Sequence, residues 1–387
     1  VTLTIASRLF DPDDASYGLL MEVPRQRIIN PETLLSHGNL HGRQAVLEIR
    51  EAGLRAADPY KNILKLVRIK DGKLFVGCTD FEPEGSPVSG DQVYDLSEVD
   101  RIFVFGAGKG SQRAAKALED LLGETLTGGH IIAKHGDGLI LERIGVTFGA
   151  HPVPYEGCVT GCQKIVEMSR GLTKRDLVFT IAANGISSLL TLPVPGVTLE
   201  EVRQVTRLMQ IERGAPTGDL NPVRNHLDQM KGGRLAALIQ PARAVHIVVF
   251  GHYSYLSLMQ HNVWLHNLPE GTTFSDAVVM LKRWDAWDAA PAAVRRHLEL
   301  ADPKNETVKA EQFARMSPFR VFCVMPDHLG MLPAAREKAA ELGFHPVTLA
   351  TELRTEARPA GEFVATVGLT VDELGQPFAP PCALLTV

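Results

Sequence analysis

Four short segments of this chain, residues 101–105, 129–133, 176–182 and 244–250, are apolar without alternation. A strand covered on one face alternates apolar with polar residues, whereas a strand covered on both faces does not. Helical periodicity lies between these segments at 112–122, 159–169, 199–213 and 233–239. Strands alternating with helices of this length predict an α/β fold with a Rossmann-like, mostly parallel sheet and helices on both faces. Near Thr273-Phe274 the character changes to helical stretches at 275–284 and 291–300. A second alternation follows, with a strand at 320–325, a helix at 332–342 and a strand at 346–350. It predicts a smaller second α/β domain, which ends in an apolar run of strand type at 380–385.

A chain of 387 residues is too long for one ordinary core and suits two domains. The expected division is an extension over 1–44, a main α/β domain over 45–275 and the second domain over 276–387. Such an extension commonly packs on its own domain or on a neighbouring subunit, which makes it the expected seat of any homo-oligomer. The pattern turns helical at 42–58, where Ala45, Ile49, Ala52 and Ala56 recur at spacings of three to four, and Asp58-Pro59 breaks it. Residues 70–95 read as a hairpin-bearing excursion.

Hydrophobic residues at 45% and charged residues at 22% exclude a disordered chain. A net charge of -5 and a pI near 6.2 give no electrostatic reason to expect nucleic acid or an anionic membrane as partner. An anionic substrate must therefore be held by local positive groups. No stretch approaches ~18 uninterrupted apolar residues, so no membrane span is expected. The acidic start, VTLTIASRLFDPDD, is unlike a signal peptide, and five scattered cysteines are unlike a disulfide framework. The expected setting is cytoplasmic.

Two segments carry the densest chemistry. Gly106-Ala107-Gly108-Lys109-Gly110-Ser111 joins a buried strand to a helix, where glycines admit a ligand to the backbone and the helical N–H groups favour an anion. Phe103 stands where a P-loop needs its leading glycine, and Ser111 where a dinucleotide fingerprint needs its third. The plain alternative is a tight turn with a solvated lysine. Further on, Arg224, Lys231 and Arg234 gather around Gly232-Gly233, a local basic cluster in an acidic protein and a candidate anion pocket. A solvated basic face is the alternative there. The loop Gly149-Ala150-His151-Pro152-Val153-Pro154 is stiff enough to fix His151, in a structural or a catalytic role.

The runs FGAGKGSQRAAKALE, GAHPVP, LNPVRNHLDQMKGGRLA, TTFSDA and ETVK, in this order and spacing, resemble the class II glycerate 2-kinases from about Gly42 onward. The resemblance implies two α/β domains and transfer of the γ-phosphoryl of ATP, with Mg²⁺, to the 2-hydroxyl of D-glycerate or a related small hydroxy acid. It implies Lys109 at the phosphates, beside Gly106 and Gly108, and Arg224 on the substrate's carboxylate or phosphate. It also implies Gly185 and Ser187 in a phosphate-binding loop, with Lys231, Gly232, Gly233 and Arg234 lining the same pocket.

The departures are as informative. The family's Ser-Gly-Gly-Gly-Ser-Ala loop is Ala183-Asn184-Gly185-Ile186-Ser187-Ser188 here, and Ile186 would place a branched side chain where phosphate should meet backbone. The segment 251–267, which replaces the family's Ser-Asp-Val and Ser-Gly-Pro-Thr motifs, contains no carboxylate, although Mg²⁺ wants oxygen ligands. It holds His252, His261 and His266 instead, at spacings that match no metal motif, so no metal ligand is assigned. Three functions follow: a hydroxy-acid kinase; a non-kinase enzyme (isomerase, lyase or decarboxylase) using histidine acid–base or metal chemistry on a sugar acid; or a non-catalytic protein that binds a ligand or supports an assembly.

Overall fold

The unalternating segments become adjacent strands of one sheet. The computed structural model describes residues 27–387 apart from 136–138, 140, 252, 352 and 354. Its strands are β1 (Val67–Lys70), β2 (Lys73–Val76), β3 (Gln92–Asp95), β4 (Ile102–Ala107), β5 (Gly128–Lys134), β6 (Ile144–Gly149), β7 (Leu177–Ala183), β8 (Arg243–Val249), β9 (Phe319–Cys323), β10 (His345–Ala350) and β11 (Cys382–Thr386). Six of them form a sheet of order β6-β5-β4-β7-β8-β9, parallel at every pairing. β4 and β7 are buried along their whole length, which is why neither alternates. The chain winds outward from β4 in one direction and from β7 in the other. In open α/β sheets the ligand crevice lies beyond the carboxyl ends of the strands at such a reversal.

One apolar cluster holds the sheet to the helices Glu156–Met168 and Arg234–Leu238, through Phe105, Ile132, Ile165, Val178, Leu235 and Val248. Another joins the helices Leu199–Thr206, Thr217–His226, Phe274–Arg283 and Ala292–Leu300, through Val202, Val223, Phe274, Leu281 and Val294. A three-stranded antiparallel meander, β1-β2-β3, accounts for the excursion over 70–95.

Three elements differ from the expectation. β6 is an edge strand whose mixed exposure gives no unbroken apolar run. The helix Thr217–His226 contains Pro222, a residue that forfeits a helical hydrogen bond and so reads as loop. The periodic stretch 199–213 is α-helical only to Thr206 and continues as a π-helix over Arg207–Glu212.

The described chain divides by its contacts into residues 59–324 and a second unit made of 27–58 with 325–387. The division therefore falls after Val324, not at 275. β9 hydrogen-bonds to β8 in the first sheet, and the helices over 274–300 join the first unit's helical cluster. The expected extension over 1–44 lies outside the described residues as far as 26. The helix Leu40–Ala56 belongs to the second unit, where Gly53 lies so close to the helix Met331–Glu341 that a Cβ would stand 3.1 Å from the Met331 carbonyl. That unit also pairs β10 with β11 in parallel and carries the helix Ala357–Leu374. Among the described residues no helix is long and apolar enough to cross a membrane.

Candidate active site

The turns that follow β4 and β7 meet at the reversal of the sheet, and glycine permits the approach. A Cβ on Gly106 would lie 2.5 Å from the Ile181 carbonyl oxygen, and one on Gly108 would lie 2.4 Å from that of Ala183. Gly108 also holds φ at +126°, a conformation L side chains rarely adopt. The Lys109 N–H donates to the Asn184 carbonyl at 2.7 Å, tying one turn to the other. Ser111 spends its hydroxyl on the Gly108 carbonyl at 2.7 Å. The Lys109 side chain is exposed, and among the described residues its ammonium has no partner.

Gly185, at φ +82°, leads into the short helical turn Ile186–Leu189. A Cβ on it would stand 2.8 Å from Cδ2 of His151 and 3.3 Å from Cε of Lys109, so three loops converge here. Ile186 does not obstruct this space. It is fully buried in the core cluster, which corrects the expectation that its branch would displace a phosphate. The Ser188 hydroxyl donates to the Ala150 carbonyl at 2.9 Å and anchors the His151 loop.

Arg224 completes the group. The residue is 5% exposed, and its guanidinium donates to the Pro152 carbonyl at 3.2 Å and to Oε1 of Gln210 at 3.1 Å. Among the described residues no carboxylate pairs with it. Burial pulls its pKa down to about 10. The His151 ring is held below its ordinary pKa by burial first, then by Lys109, Arg224 and Lys134. Cations surround the ring, and among the described residues no acid pairs with Lys109 or Arg224. A buried charge without a counter-ion is costly, and a bound anion would relieve that cost.

The sequence reading also placed Lys231, Gly232, Gly233 and Arg234 in this pocket, and the structure gives them other work. Lys231 is buried, with its ammonium 2.5 Å from Oδ2 of Asp228 and 2.8 Å from the Thr191 hydroxyl. Asp228 in turn accepts from the N–H groups of Met230 and Leu192, so the pair fastens its own loop. Arg234 donates to the carbonyls of Asn225, Lys231 and Asn305. A Cβ on Gly232 would lie 2.5 Å from Cγ2 of Thr307, and one on Gly233 would lie 2.8 Å from Cβ of Val308. The double glycine thus exists for close packing against Thr307-Val308. Conversely, nothing in the sequence singles out Gln210 or Lys134, whereas His151 is signalled by the stiffness of its Pro-rich loop and by the GAHPVP run.

Among the described residues the loop histidines form no metal centre. His252 lies outside the described residues, His261 is exposed, and His266 is buried with protein partners at both ring nitrogens. Among the described residues no three His, Cys, Asp or Glu side chains are placed to share a metal ion. Glu84 is brought alongside the carboxylate-free segment by main-chain hydrogen bonds to Tyr253 and Tyr255. A single exposed acid does not supply the oxygen set of a protein-held Mg²⁺.

A family described as a domain of unknown function, DUF4147, matches residues 45–250. The chain is 31% identical over 348 residues to the glycerate 2-kinase of Pyrococcus horikoshii, covering 88% of this chain and 73% of that one. The chain belongs to the glycerate 2-kinase family. The D-glycerate 2-kinase of Thermotoga maritima is 28% identical over 292 residues, 74% of this chain and 65% of the relative. Among solved structures, a Pyrococcus horikoshii protein superposes with a TM-score of 0.63 at 27% identity, covering 89% of this chain and 73% of that one. A Thermotoga maritima glycerate kinase gives 0.62 at 26% identity, covering 89% and 74%. The glycerate kinase fold therefore extends through most of the chain.

Proposed function

We propose that the protein transfers the γ-phosphoryl of ATP to the hydroxyl of a small hydroxy acid, D-glycerate or a close relative. The uncompensated Arg224, buried beside Lys109 and His151 at the sheet reversal, carries this reading. Family membership supports it, since the relatives above are named glycerate kinases.

In this reading Lys109 and the first N–H groups of the helix Ser111–Leu122 receive the transferring phosphates. Arg224 holds the acid's carboxylate or an adjacent phosphate oxygen. As the hydroxyl oxygen bonds to phosphorus and the bond to ADP breaks, the hydroxyl proton must leave, and neutral His151 is the group available to receive it. Such transfers depend on positioning and charge neutralisation more than on covalent chemistry. Mg²⁺ enters as part of the nucleotide substrate. The five free cysteines suit a reducing, cytoplasmic setting.

Calorimetric titration with MgATP and then D-glycerate tests the reading. Binding of both, with phosphoryl transfer that falls by about 10²-fold or more in Lys109→Ala, is the expected outcome. No heat with MgATP, but binding of a sugar acid alone, would overturn it.

A further inference from the structure

Ser187 lies two residues beyond Gly185, the residue that packs against His151 and Lys109, and its side chain has one protein partner among the described residues: Nε2 of His266, at 2.9 Å. Across the ring, the Gly232 N–H points at Nδ1 from 3.5 Å. A main-chain N–H only donates, so Nδ1 must present a lone pair and the ring proton must sit on Nε2. Nε2–H then donates to Ser187 Oγ, and the serine's own proton is left free to donate elsewhere. His266 is fully buried, and after burial itself Lys231, Arg224 and Arg234 all oppose a second proton. The ring is therefore held neutral and in one tautomer.

We infer that His266 is a positioning residue which, resting on the phosphoryl-transfer reading, fixes the Ser187 hydroxyl as a hydrogen-bond donor toward an oxyanion bound beside Lys109 and Arg224. His266 belongs to the segment 251–267, which contains no carboxylate. The serine of the β7 turn is thus held in orientation by a histidine from that segment. His266 does not exchange a proton during the reaction; it decides where the serine's proton points.

Two measurements test this. Nitrogen-15 NMR of the ligand-free protein should show the His266 ring as the Nε2–H tautomer, unchanged between about pH 5.5 and 8.5, a window that spans the ordinary histidine value. A ring that titrates in that window, or carries its proton on Nδ1, overturns the assignment. The second is a double-mutant cycle with inorganic phosphate as the probe. Ser187→Ala and His266→Asn should each weaken phosphate binding about ten- to a hundred-fold, the worth of one hydrogen bond to a charged group, and the double variant no further. His266→Gln, which restores a donor near the Nε2 position, should recover most of the loss. Additive losses, or phosphate binding indifferent to Ser187→Ala, would overturn the positioning role. Because neither measurement uses ATP, a failure of kinase activity and a failure of this assignment are separately visible.

Discussion

The main-chain N–H of Lys109 donates to the carbonyl of Asn184 at 2.7 Å, so the turn after β4 and the turn after β7 form one rigid unit at the reversal of the sheet. This bond places the Lys109 side chain over Gly185 and His151, and among the described residues none of its side-chain donors is used. Its geometry depends on the glycines that let the two turns touch.

Gly108→Ala should therefore cost more than an ordinary surface substitution. The new Cβ would meet the Ala183 carbonyl oxygen at 2.4 Å, in a backbone conformation unfavourable to alanine. A loss of roughly 3 kcal/mol in denaturant unfolding is expected, with a larger loss of phosphate affinity as the turns separate. Gly196→Ala, at another positive φ but with open space around it, should cost about 1 kcal/mol and leave binding unchanged. Equal effects on binding would exclude the turn contact as an organiser of the pocket.

Arg224→Met should separate stability from binding. Removing a buried cation that lacks a carboxylate relieves desolvation, so the ligand-free protein should melt at the same or a higher temperature. Binding of phosphate or D-glycerate should weaken by on the order of ten- to a hundred-fold, whereas Lys70→Ala, on the exposed end of β1, should leave it unchanged. A variant that loses stability while keeping anion affinity would assign Arg224 a structural role.

Lys231 should behave in the opposite way. Lys231→Met strands Asp228 as a buried carboxylate and should destabilise by roughly 3–5 kcal/mol, while Lys231→Met with Asp228→Asn should recover part of that loss. Chemical denaturation of the two variants measures the difference. A stable single variant deficient only in phosphate binding would return Lys231 to the pocket.

His246 on β8 makes stability depend on pH. Burial lowers its pKa from 6.5 to about 3, and its Nδ1 meets the Thr180 hydroxyl at 2.7 Å. Between those values the unfolded chain binds a proton that the folded chain refuses. Stability should thus be fully present above about pH 6.5 and decline as pH falls toward 3, by up to about 1.4 kcal/mol per pH unit from this residue. His246→Gln should flatten that part of a denaturation–pH series, and an unchanged slope would show that other groups produce it.

The class of fold was legible in the sequence because burial on both faces removes alternation. The runs that became β4, β7 and β8 could hardly be anything but inner strands of a covered sheet. β6 was not legible, since an edge strand such as Ile144–Gly149 has mixed exposure and no pattern of its own. The glycine turn with Lys109, and Arg224 as an anion group, could likewise be picked out, because an isolated lysine among glycines and a basic cluster in an acidic protein are local facts.

Which cations remain available to a ligand was decided only by the tertiary structure. Arg224, Lys231 and Arg234 look alike along the chain, yet Lys231 meets Asp228, Arg234 is consumed by three carbonyls, and Arg224 is left without a carboxylate among the described residues. Ile186 reads as an obstruction until the fold turns it into the core. His266 reads as one of three loop histidines until burial and the Gly232 N–H fix its tautomer. Periodicity records how a residue faces its own element, and so it carries the architecture. Charge compensation depends on which partner each side chain turns toward, as near in sequence as Asp228 is to Lys231 or as distant as Asn305 is from Arg234, and only the folded chain decides it.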